Sequence, residues 1–214
     1  MSAMETAFSR AARSRALDRR QRSVIIGSLL GDGTLLDTTA GWCFRLHHGI
    51  RQYGYLFWKY QALAGLVRTP PRASAFKCYF RTVTHPAFID LRAAFYQGRR
   101  KIVPYELLTA DLDSLALAVW IMDDGSADGS ALRLNTQSFS REENQALIEI
   151  LGAKFGLKPR INKDKAGFRL RFPSSDMSRL RELVGEHVHP QMAYKLGCRR
   201  SHERPVGRKM CVII

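Results

Sequence analysis

The chain has 214 residues, 45% of them apolar, and a formal net charge of +15 at pH 7. This size and apolar content suffice for a sizeable core, in one domain or in two closely packed halves, and they exclude a disordered chain. Arginine supplies 25 of the 34 basic residues, which indicates an anionic partner, nucleic acid ahead of an anionic membrane. The longest apolar run, 115–122, is too short to span a bilayer.

The cysteines and histidines lack the spacing of a metal site or a disulfide framework. Cys43, Cys78, Cys198 and Cys211 form no C-x-x-C pair, and the chain contains no H-E-x-x-H motif. These patterns argue against structural zinc and favour reduced thiols. We therefore expect a cytoplasmic or nucleoid location if the protein is bacterial, while the arginine-rich, acid-poor beginning leaves an organellar matrix open.

The first half of the chain reads as alternating helices and strands. Residues 1–22 predict a solvated basic arm, and an apolar helical run then ends in Asp32 and Gly33. Alternation predicts strands over 42–48 and 76–83, the second with Phe76 on its apolar face. A helix over 51–67 lies between them, with aromatic residues that we expect in the core. Pro86 indicates a helix to about residue 97, and a basic loop, 98–104, follows.

The second half repeats this order. An apolar helical run ends in Asp123, Asp124 and Gly125, and a strand is predicted over 131–138. The capping box from Ser140 to Glu143 begins a helix to about residue 155. Strands over 158–163 and 168–172 come next, Ser174 or Ser175 is expected to cap a last helix, and the segment 190–196 carries Lys195. We interpret Asp37, Asp128 and Asp164 as turn residues.

The repeat predicts two similar units related by a pseudo-two-fold axis. We place the first unit at 23–109 and the second at 110–197, after the arm at 1–22 and before a basic tail at 198–214. Asp32 precedes Lys101 by 69 residues and Asp124 precedes Lys195 by 71. Contact between the two motif helices along the axis would set Asp32 and Asp124 side by side.

Each motif places a carboxylate at the end of a helix. A glycine after a helix typically supplies a left-handed cap, and the negative end of the helix dipole disfavours an anion by about 0.3–1 kcal/mol. A divalent cation would offset this cost at both sites. Hard oxygen ligands select Mg²⁺ or a similar ion such as Mn²⁺. We expect Asp32 and Asp124 to bind it, with Gly31 and Asp123 contributing backbone carbonyl groups only, and the Asp123 side chain in a structural or solvent role.

The same constellation predicts hydrolysis of a phosphodiester. Bound cations could activate a water and stabilise the leaving oxygen, and Lys101 and Lys195 are placed to stabilise charge on the phosphate. Cationic and amide side chains along the predicted strands could read base edges in a DNA groove. These predicted DNA-binding residues are Arg45, His47, Lys77, Arg81, Arg133, Asn135, Gln137, Asn162, Arg169 and Arg171.

At these residues the sequence resembles the LAGLIDADG homing endonucleases, in their single-chain branch with two motifs. Ile25 to Gly33 and Leu117 to Gly125 match the two signature motifs. Leu134 to Phe139 and Pro190 to Leu196 make the second half most similar to the mitochondrial omega-intron endonuclease. Leu30 and Met122 depart from the first acid of the idealised motif, a position that is not the metal ligand.

The resemblance implies an α+β fold of tandem αββαββα repeats with saddle-shaped antiparallel sheets over DNA. It implies that Asp32 and Asp124 are metal-binding carboxylates and that Lys101 and Lys195 are active-site lysines. The implied activity is Mg²⁺-dependent cleavage of both DNA strands by a monomer, at a long asymmetric site. An intron maturase that binds RNA, or a DNA-binding protein without cleavage, remains an alternative of the same fold.

Overall fold

The structure, a computed structural model, describes residues 6–197. Its α-helices in that range are α1 (Ala7–Arg13), α2 (Arg19–Leu30), α3 (Tyr53–Ala62), α4 (Ala87–Phe95), α5 (Tyr105–Asp111), α6 (Ser114–Asp124), α7 (Arg141–Phe155) and α8 (Met177–Val184). The strands are β1 (Thr34–Thr38), β2 (Gly41–Gly49), β3 (Arg72–Ala73), β4 (Lys77–Thr84), β5 (Tyr96–Gln97), β6 (Arg100–Lys101), β7 (Gly125–Asp128), β8 (Ala131–Leu134), β9 (Arg160–Asp164) and β10 (Gly167–Phe172).

The predicted tandem repeat is confirmed. Helices and strands follow one another as αββαββα from α2 to α4 and again from α6 to α8. Each unit builds a four-stranded antiparallel sheet, in the order β1-β2-β4-β3 in the first unit and β7-β8-β10-β9 in the second. The exact limits of the two units, 23–109 and 110–197, remain a prediction.

The motif helices α2 and α6 pack directly against each other at the junction of the two units. Their chains approach so closely at Gly27 that a Cβ atom there would lie 2.3 Å from the carbonyl oxygen of Ala116. Nearly all of α6 is buried, including Trp120 with no exposed surface. This seam joins the cores of the two units, and it places the ends of both motif helices next to each other.

The residues that begin these helices explain where the helices start. Asp18 caps α2 in a capping box with Gln21, and the carboxylate of Asp113 accepts the N–H of Ala116 at the start of α6. The capping box predicted for α7 is present, with Ser140 and Glu143 as its partners. Ser174 and Ser175 make no capping hydrogen bond, so the cap expected there is wrong.

Several other predictions need correction. The predicted helix over 51–67 is divided by 3-10 turns on both sides of α3, and Tyr53 and Phe57 are partly exposed on it. Phe76 precedes β4 and is 86% exposed, so it does not join the apolar face. Helix α5 and strand β6 occupy segments for which no regular structure was predicted, and strand β5 stands where the helix predicted from Pro86 to about residue 97 was expected to end.

Part of the predicted arm is folded. Helix α1 is capped by Thr6 and packs near β4, with Ala12 buried. The imidazole Nε2 of His85 lies 2.9 Å from the carbonyl oxygen of Arg15, so this segment is not wholly solvated. The basic tail, with Cys198 and Cys211, lies outside the described residues, while Cys43 and Cys78 are buried free thiols. Across 6–197, none of the helices combines the length and apolarity that a membrane span requires.

Candidate active site

Both motif aspartates lie where their helices end, at one end of the seam. Asp124 is the last residue of α6, and Asp32 follows the end of α2 by two residues. The glycines after them are not left-handed caps, contrary to the prediction, because neither has a positive φ. They are needed for space. A Cβ atom at Gly33 would lie 2.7 Å from the ring of Phe44, and one at Gly125 would lie 2.4 Å from the carbonyl oxygen of Ile121.

The electrostatics of the two carboxyl groups are coupled. Burial, followed by the nearby carboxylates of Asp32 and Asp123, raises the pKa of Asp124 to about 7. Burial and the carboxylate of Asp123 also raise the pKa of Asp32. Carboxylates that disfavour each other in this way are stabilised in their charged form by a neighbouring cation. The end of the seam is therefore a place where positive charge is favoured.

A lysine from each unit reaches the same place. Lys101, on β6, donates to the carbonyl oxygen of Gly31 at 2.8 Å, and Lys195 donates to that of Asp123 at 2.5 Å. The two carbonyl groups predicted to serve a cation thus accept the lysines. Burial lowers the pKa of both ammonium groups, although the motif carboxylates oppose this shift. The lysines occupy equivalent positions relative to the two motifs.

Each lysine-bearing segment is anchored on the opposite unit. The side chain of Gln191, in the segment of Lys195, accepts the N–H of Tyr55 near the start of α3 at 3.0 Å. Glu143, near the start of α7, accepts the N–H of Val103 at 3.3 Å and forms an ion pair with Arg100. Both contacts use polar groups at the start of a helix. The site is thus assembled from both halves of the chain.

The Asp123 side chain has a structural role. It is buried at the junction, where Lys59 Nζ lies 2.6 and 2.8 Å from its two carboxylate oxygens. The hydroxyl group of Tyr55 donates to the same carboxylate at 2.8 Å. Of the two roles expected for this side chain, the solvent role is therefore wrong.

His48 lies in a cluster with Asp32 and Asp123, whose side chains are all of types that can bind a metal ion. One ligand atom each of Asp32, His48 and Asp123 lies within 4.8 Å of the others. Burial lowers the pKa of His48 to about 4, so the ring is neutral at pH 7, with Nδ1 3.4 Å from Asp32 Oδ2. Because Lys59 already neutralises Asp123, the cluster offers one free carboxylate, that of Asp32.

The first sheet presents most of its predicted DNA-binding residues on one face. Arg45 pairs with Arg81, His47 with Tyr79, and Gly49 with Lys77 across β2 and β4. Residues that alternate along antiparallel strands share a face. His47, Lys77 and Arg81 are exposed, and Arg45 is partly exposed. The fold therefore brings these four predicted residues together.

The second sheet also has a basic face, but two of its arginines form ion pairs with an aspartate of the same sheet. Arg133 pairs with Arg171, and Arg169 pairs with Asn162. Asp128, at the end of β7, forms ion pairs with both Arg133 and Arg171, so its interpretation as a simple turn residue was wrong. Asp37 and Asp164 likewise belong to strands, β1 and β9.

Two predicted residues lie outside the second sheet. Strand β8 ends at Leu134, so Asn135 and Gln137 follow the strand and do not alternate along it. Asn135 is exposed, and its backbone N–H bonds the carbonyl oxygen of Asp124 at 3.1 Å. It therefore lies beside the motif end, closer to the aspartates than the prediction implied.

Sequence reasoning missed several residues of the site: Tyr55, Lys59, Glu143 as a contact to the lysine segment, and Gln191. Glu143 was recognised only as part of a capping box. A lysine in an amphipathic helix is ordinarily a surface residue, so nothing local marks Lys59 as buried. The immediate sequence signal was the unexplained second acid, Asp123, which requires a partner once it is buried.

Comparisons with known proteins agree with this architecture. A family model described as the LAGLIDADG DNA endonuclease family matches residues 22–180. "Probable intron-encoded DNA endonuclease 3" of Mycosarcoma maydis is 35% identical over 55% of this chain and 91% of its own length. "Cytochrome b mRNA maturase bI2" of Debaryomyces hansenii is 27% identical over 86% of this chain and 76% of its own. The homing endonuclease I-WcaI, solved bound to its DNA recognition sequence, superposes with a TM-score of 0.80 at 24% identity, covering 91% of this chain and 94% of that one.

Proposed function

Since the chain belongs to the LAGLIDADG DNA endonuclease family, we propose that it is a site-specific endonuclease that hydrolyses both strands of DNA with a divalent cation. The observation that carries this proposal is the pairing at the end of the seam. Each unit brings one aspartate and one lysine there, and the carboxylate of Asp32 helps to raise the pKa of Asp124. Two equivalent acid and lysine pairs suit two equivalent reactions, one on each strand.

The residues fit a hard divalent cation. Asp32 and Asp124 offer carboxylate oxygens, and the raised pKa of Asp124, about 7, indicates that cationic charge would favour its ionised form. Oxygen ligands without thiolates select Mg²⁺ or Mn²⁺ over zinc. Such a cation, when bound, stabilises charge on the phosphate and favours an ionised water. Asp32 and Asp124 would hold it. The carbonyl oxygens of Gly31 and Asp123 each accept a lysine and would have only their second lone pair for the cation.

The lysines would act on the phosphate. Lys101 and Lys195 are largely buried and held by backbone carbonyl oxygens, so each ammonium group is oriented before the substrate arrives. A preoriented positive charge stabilises negative charge that develops in the transition state. Because burial lowers their pKa, they also exchange a proton more readily than a surface lysine would.

The two sheets would bind the duplex. Their basic faces carry Arg45, His47, Lys77 and Arg81 in the first unit, and Asn162, Arg169 and Arg171 in the second, with Arg133 beside them. Arginine and asparagine side chains suit guanine and adenine edges in the major groove. The two faces differ, so one chain should recognise a long asymmetric site as a monomer.

Selection from a randomised DNA library in the presence of Mg²⁺ tests the proposal. We expect recovery of an asymmetric target that is cut on both strands, and one protein chain for each duplex by native mass measurement. Asp32→Asn and Asp124→Asn should each reduce double-strand cleavage by about a thousandfold or more, as loss of a catalytic group does. Their binding to the target should change little. Full cleavage by either variant, or selection of a perfect palindrome, would contradict the assignment.

Maturase activity is a second candidate function. It is supported by the similarity to a cytochrome b mRNA maturase over 86% of this chain. RNA would use the same electrostatic attraction as DNA, because phosphate contacts dominate both. Binding to the intron RNA that surrounds the coding sequence, compared with an unrelated RNA of equal length at 150 mM salt, tests this function. Equal affinity for the two RNAs would exclude it.

A further inference from the structure

Within residues 6–197, the ion pair of Lys59 and Asp123 has no counterpart on the other side of the pseudo-two-fold axis. Asp123 directly precedes the motif aspartate of the second unit, and the residue that precedes the motif aspartate of the first unit is Gly31. A Cβ atom on Gly31 would lie 2.6 Å from the Cβ atom of Asp123. The side chain of Asp123 thus occupies the space that an equivalent side chain from the first motif would need, and only one such pair fits.

The helices that flank the site differ in the same way. In the first unit, α3 sends Tyr55 and Lys59 to the junction, and both are fully buried. In the second unit, the buried face of α7 carries Asn144, Leu147 and Leu151. None of the buried residues of α7 is cationic, so this helix offers no buried partner that would neutralise a carboxylate as Lys59 does.

Within the pair, Asp123 is the residue that contacts Asp32 and Lys195 of the site. Its carboxylate lies 3.4 Å from the backbone nitrogen of Asp32, which donates to it. Its carbonyl oxygen accepts Lys195 Nζ at 2.5 Å. Lys59 grips both oxygens of the carboxylate, and its ammonium group also lies 4.6 Å from the ring centroid of Tyr55. The backbone of Asp32 is therefore held by a hydrogen bond to the charged pair, whereas Asp124 is joined to Asp123 by the chain itself.

We propose that Lys59 and Asp123 form a positioning pair that holds Asp32 in place and makes the two active sites unequal, so that its loss slows cleavage of one DNA strand more than the other. The proposal rests on the proposed endonuclease function. A buried ion pair is often no more stabilising than apolar residues of similar volume. Its retention at the junction is therefore better explained by orientation of Asp32 than by stability.

A double substitution separates the two explanations. Lys59→Met with Asp123→Val removes both charges together and leaves neither one unpaired. The matched control, Arg22→Met with Asp111→Val, removes an ion pair that also joins α2 to the second half, at the other end of that helix. Helix α2 spans 12 residues, so the control lies about 15 Å or more from the site.

Three measurements are made on wild type and both variants: the melting temperature, the nicking rate of each strand of the selected target, and the amide resonance of Asp32. We call Lys59→Met with Asp123→Val the inner variant. We expect it to shift the ratio of the two strand rates by about tenfold or more, because misplacing a catalytic group by about 1 Å reduces the rate by up to a hundredfold. Its Asp32 amide resonance should move. The control should leave both the ratio and the resonance unchanged.

Tyr55→Phe provides a test if the inner variant does not fold. It removes the hydroxyl group, which donates to Asp123 at 2.8 Å and also lies 3.3 Å from the carbonyl oxygen of Val119. It should shift the strand ratio in the same direction by about threefold, as the loss of one hydrogen bond does. A strand ratio that stays at the wild-type value, or equal slowing of both strands, overturns the proposal. If the wild-type protein cleaves neither strand, the proposed endonuclease function is wrong. The amide resonance of Asp32 then still tests the positioning role, which is refuted if that resonance is the same in the inner variant as in the wild type.

Discussion

In the first unit, the polar side chains beneath the sheet reach across the junction, whereas in the second unit the corresponding side chains stay within their own half. His48 and Thr136 occupy equivalent positions in the two units. Arg45 pairs with β1 and Arg133 pairs with β7, and His48 and Thr136 each follow their arginine by three residues. His48 lies against Tyr55 and Asp32 of its own unit, and a ring nitrogen of His48 lies within 4.8 Å of a carboxylate oxygen of Asp123 across the junction. Thr136 instead bonds Asn144, whose amide donates to three backbone carbonyl groups of its own unit.

This difference shows how a duplicated fold can carry unequal sites. The parts that the two units share are a motif helix, an antiparallel sheet and a lysine at the motif end. The unequal parts are buried contacts between the units, where one side chain excludes its mirror image. Asymmetry therefore enters through packing at the seam, while the topology of the two halves remains the same.

After the motif aspartates, the largest expected effect belongs to the two active-site lysines, one in each unit. Lys101→Ala and Lys195→Ala should each slow cleavage by about a hundredfold to a thousandfold, as loss of a preoriented charge at a transition state does, with little loss of DNA affinity. Single-turnover cleavage and equilibrium binding measure the two quantities. Lys154→Ala is the control, because Lys154 also donates to backbone carbonyl groups but lies between α5 and α7. If a site variant lost affinity and rate in equal proportion, its lysine would be only a phosphate contact.

The seam itself gives the next effect. Gly27→Ala should destabilise the fold by about 2–3 kcal/mol, because overpacking a tight helix contact forces the backbones apart. The added Cβ atom would lie 2.3 Å from the carbonyl oxygen of Ala116 and 2.8 Å from Val119 Cβ. Gly49→Ala is the matched control, since an added Cβ atom there meets nothing within 4 Å. Urea unfolding measures both, and equal stability of the two variants would show that the helices tolerate separation.

A smaller effect compares the two motif aspartates through pH. Folding raises the pKa of the Asp124 carboxyl group to about 7. The free energy of unfolding is therefore highest below pH about 4, where this group is protonated in both the folded and the unfolded chain, and it falls as pH rises through about 7. Without metal, wild type should lose about 1–2 kcal/mol between pH 5 and pH 8, reduced from the full linkage because the group is partly exposed. Asp124→Asn should flatten this slope, and Mg²⁺ should offset the loss at pH 8.

Thermal unfolding in a chelator and in Mg²⁺ measures this linkage. Asp32→Asn should act in the same direction, because burial and Asp123 raise the pKa of Asp32 as well. An Asp124→Asn variant whose stability still falls with pH as steeply as that of wild type would contradict the assigned shift.

The smallest expected effect concerns the two reading faces. Asp128 holds Arg133 and Arg171 in the second sheet, while Leu36 occupies the equivalent position in β1 of the first. Asp128→Ala should relax base preference in one half-site by about fivefold or less, because it frees two arginines to contact more sequences. Selection from libraries randomised in one half-site at a time measures this. Leu36→Ala is the control, and a change of preference in both half-sites after Asp128→Ala would contradict independent faces.

The tandem αββαββα order followed from the family resemblance, whereas the sequence patterns themselves predicted the repeat of helices and strands, both motif aspartates, both lysines and the basic strand faces. These features depend on local patterns: a run of apolar residues ending in Asp-Gly, alternation along strands such as β4, and the Ser140 capping box. Such patterns can be recognised in the sequence because the repeat of a helix or a strand is set by residues that are consecutive in the chain. The spacing of Asp32 to Lys101 and Asp124 to Lys195 extended this reading to the whole chain.

Only the tertiary structure decided which buried groups meet. Lys59 and Asp123 are 64 residues apart, and no local pattern distinguishes a lysine that enters a core from one that faces solvent. The motif glycines were assigned to left-handed caps, yet their backbone angles are ordinary, and it is the close approach of Phe44 and Ile121 that excludes a side chain. Pairing and clearance of this kind depend on the distance between segments far apart in the chain, which the order of residues along it does not specify.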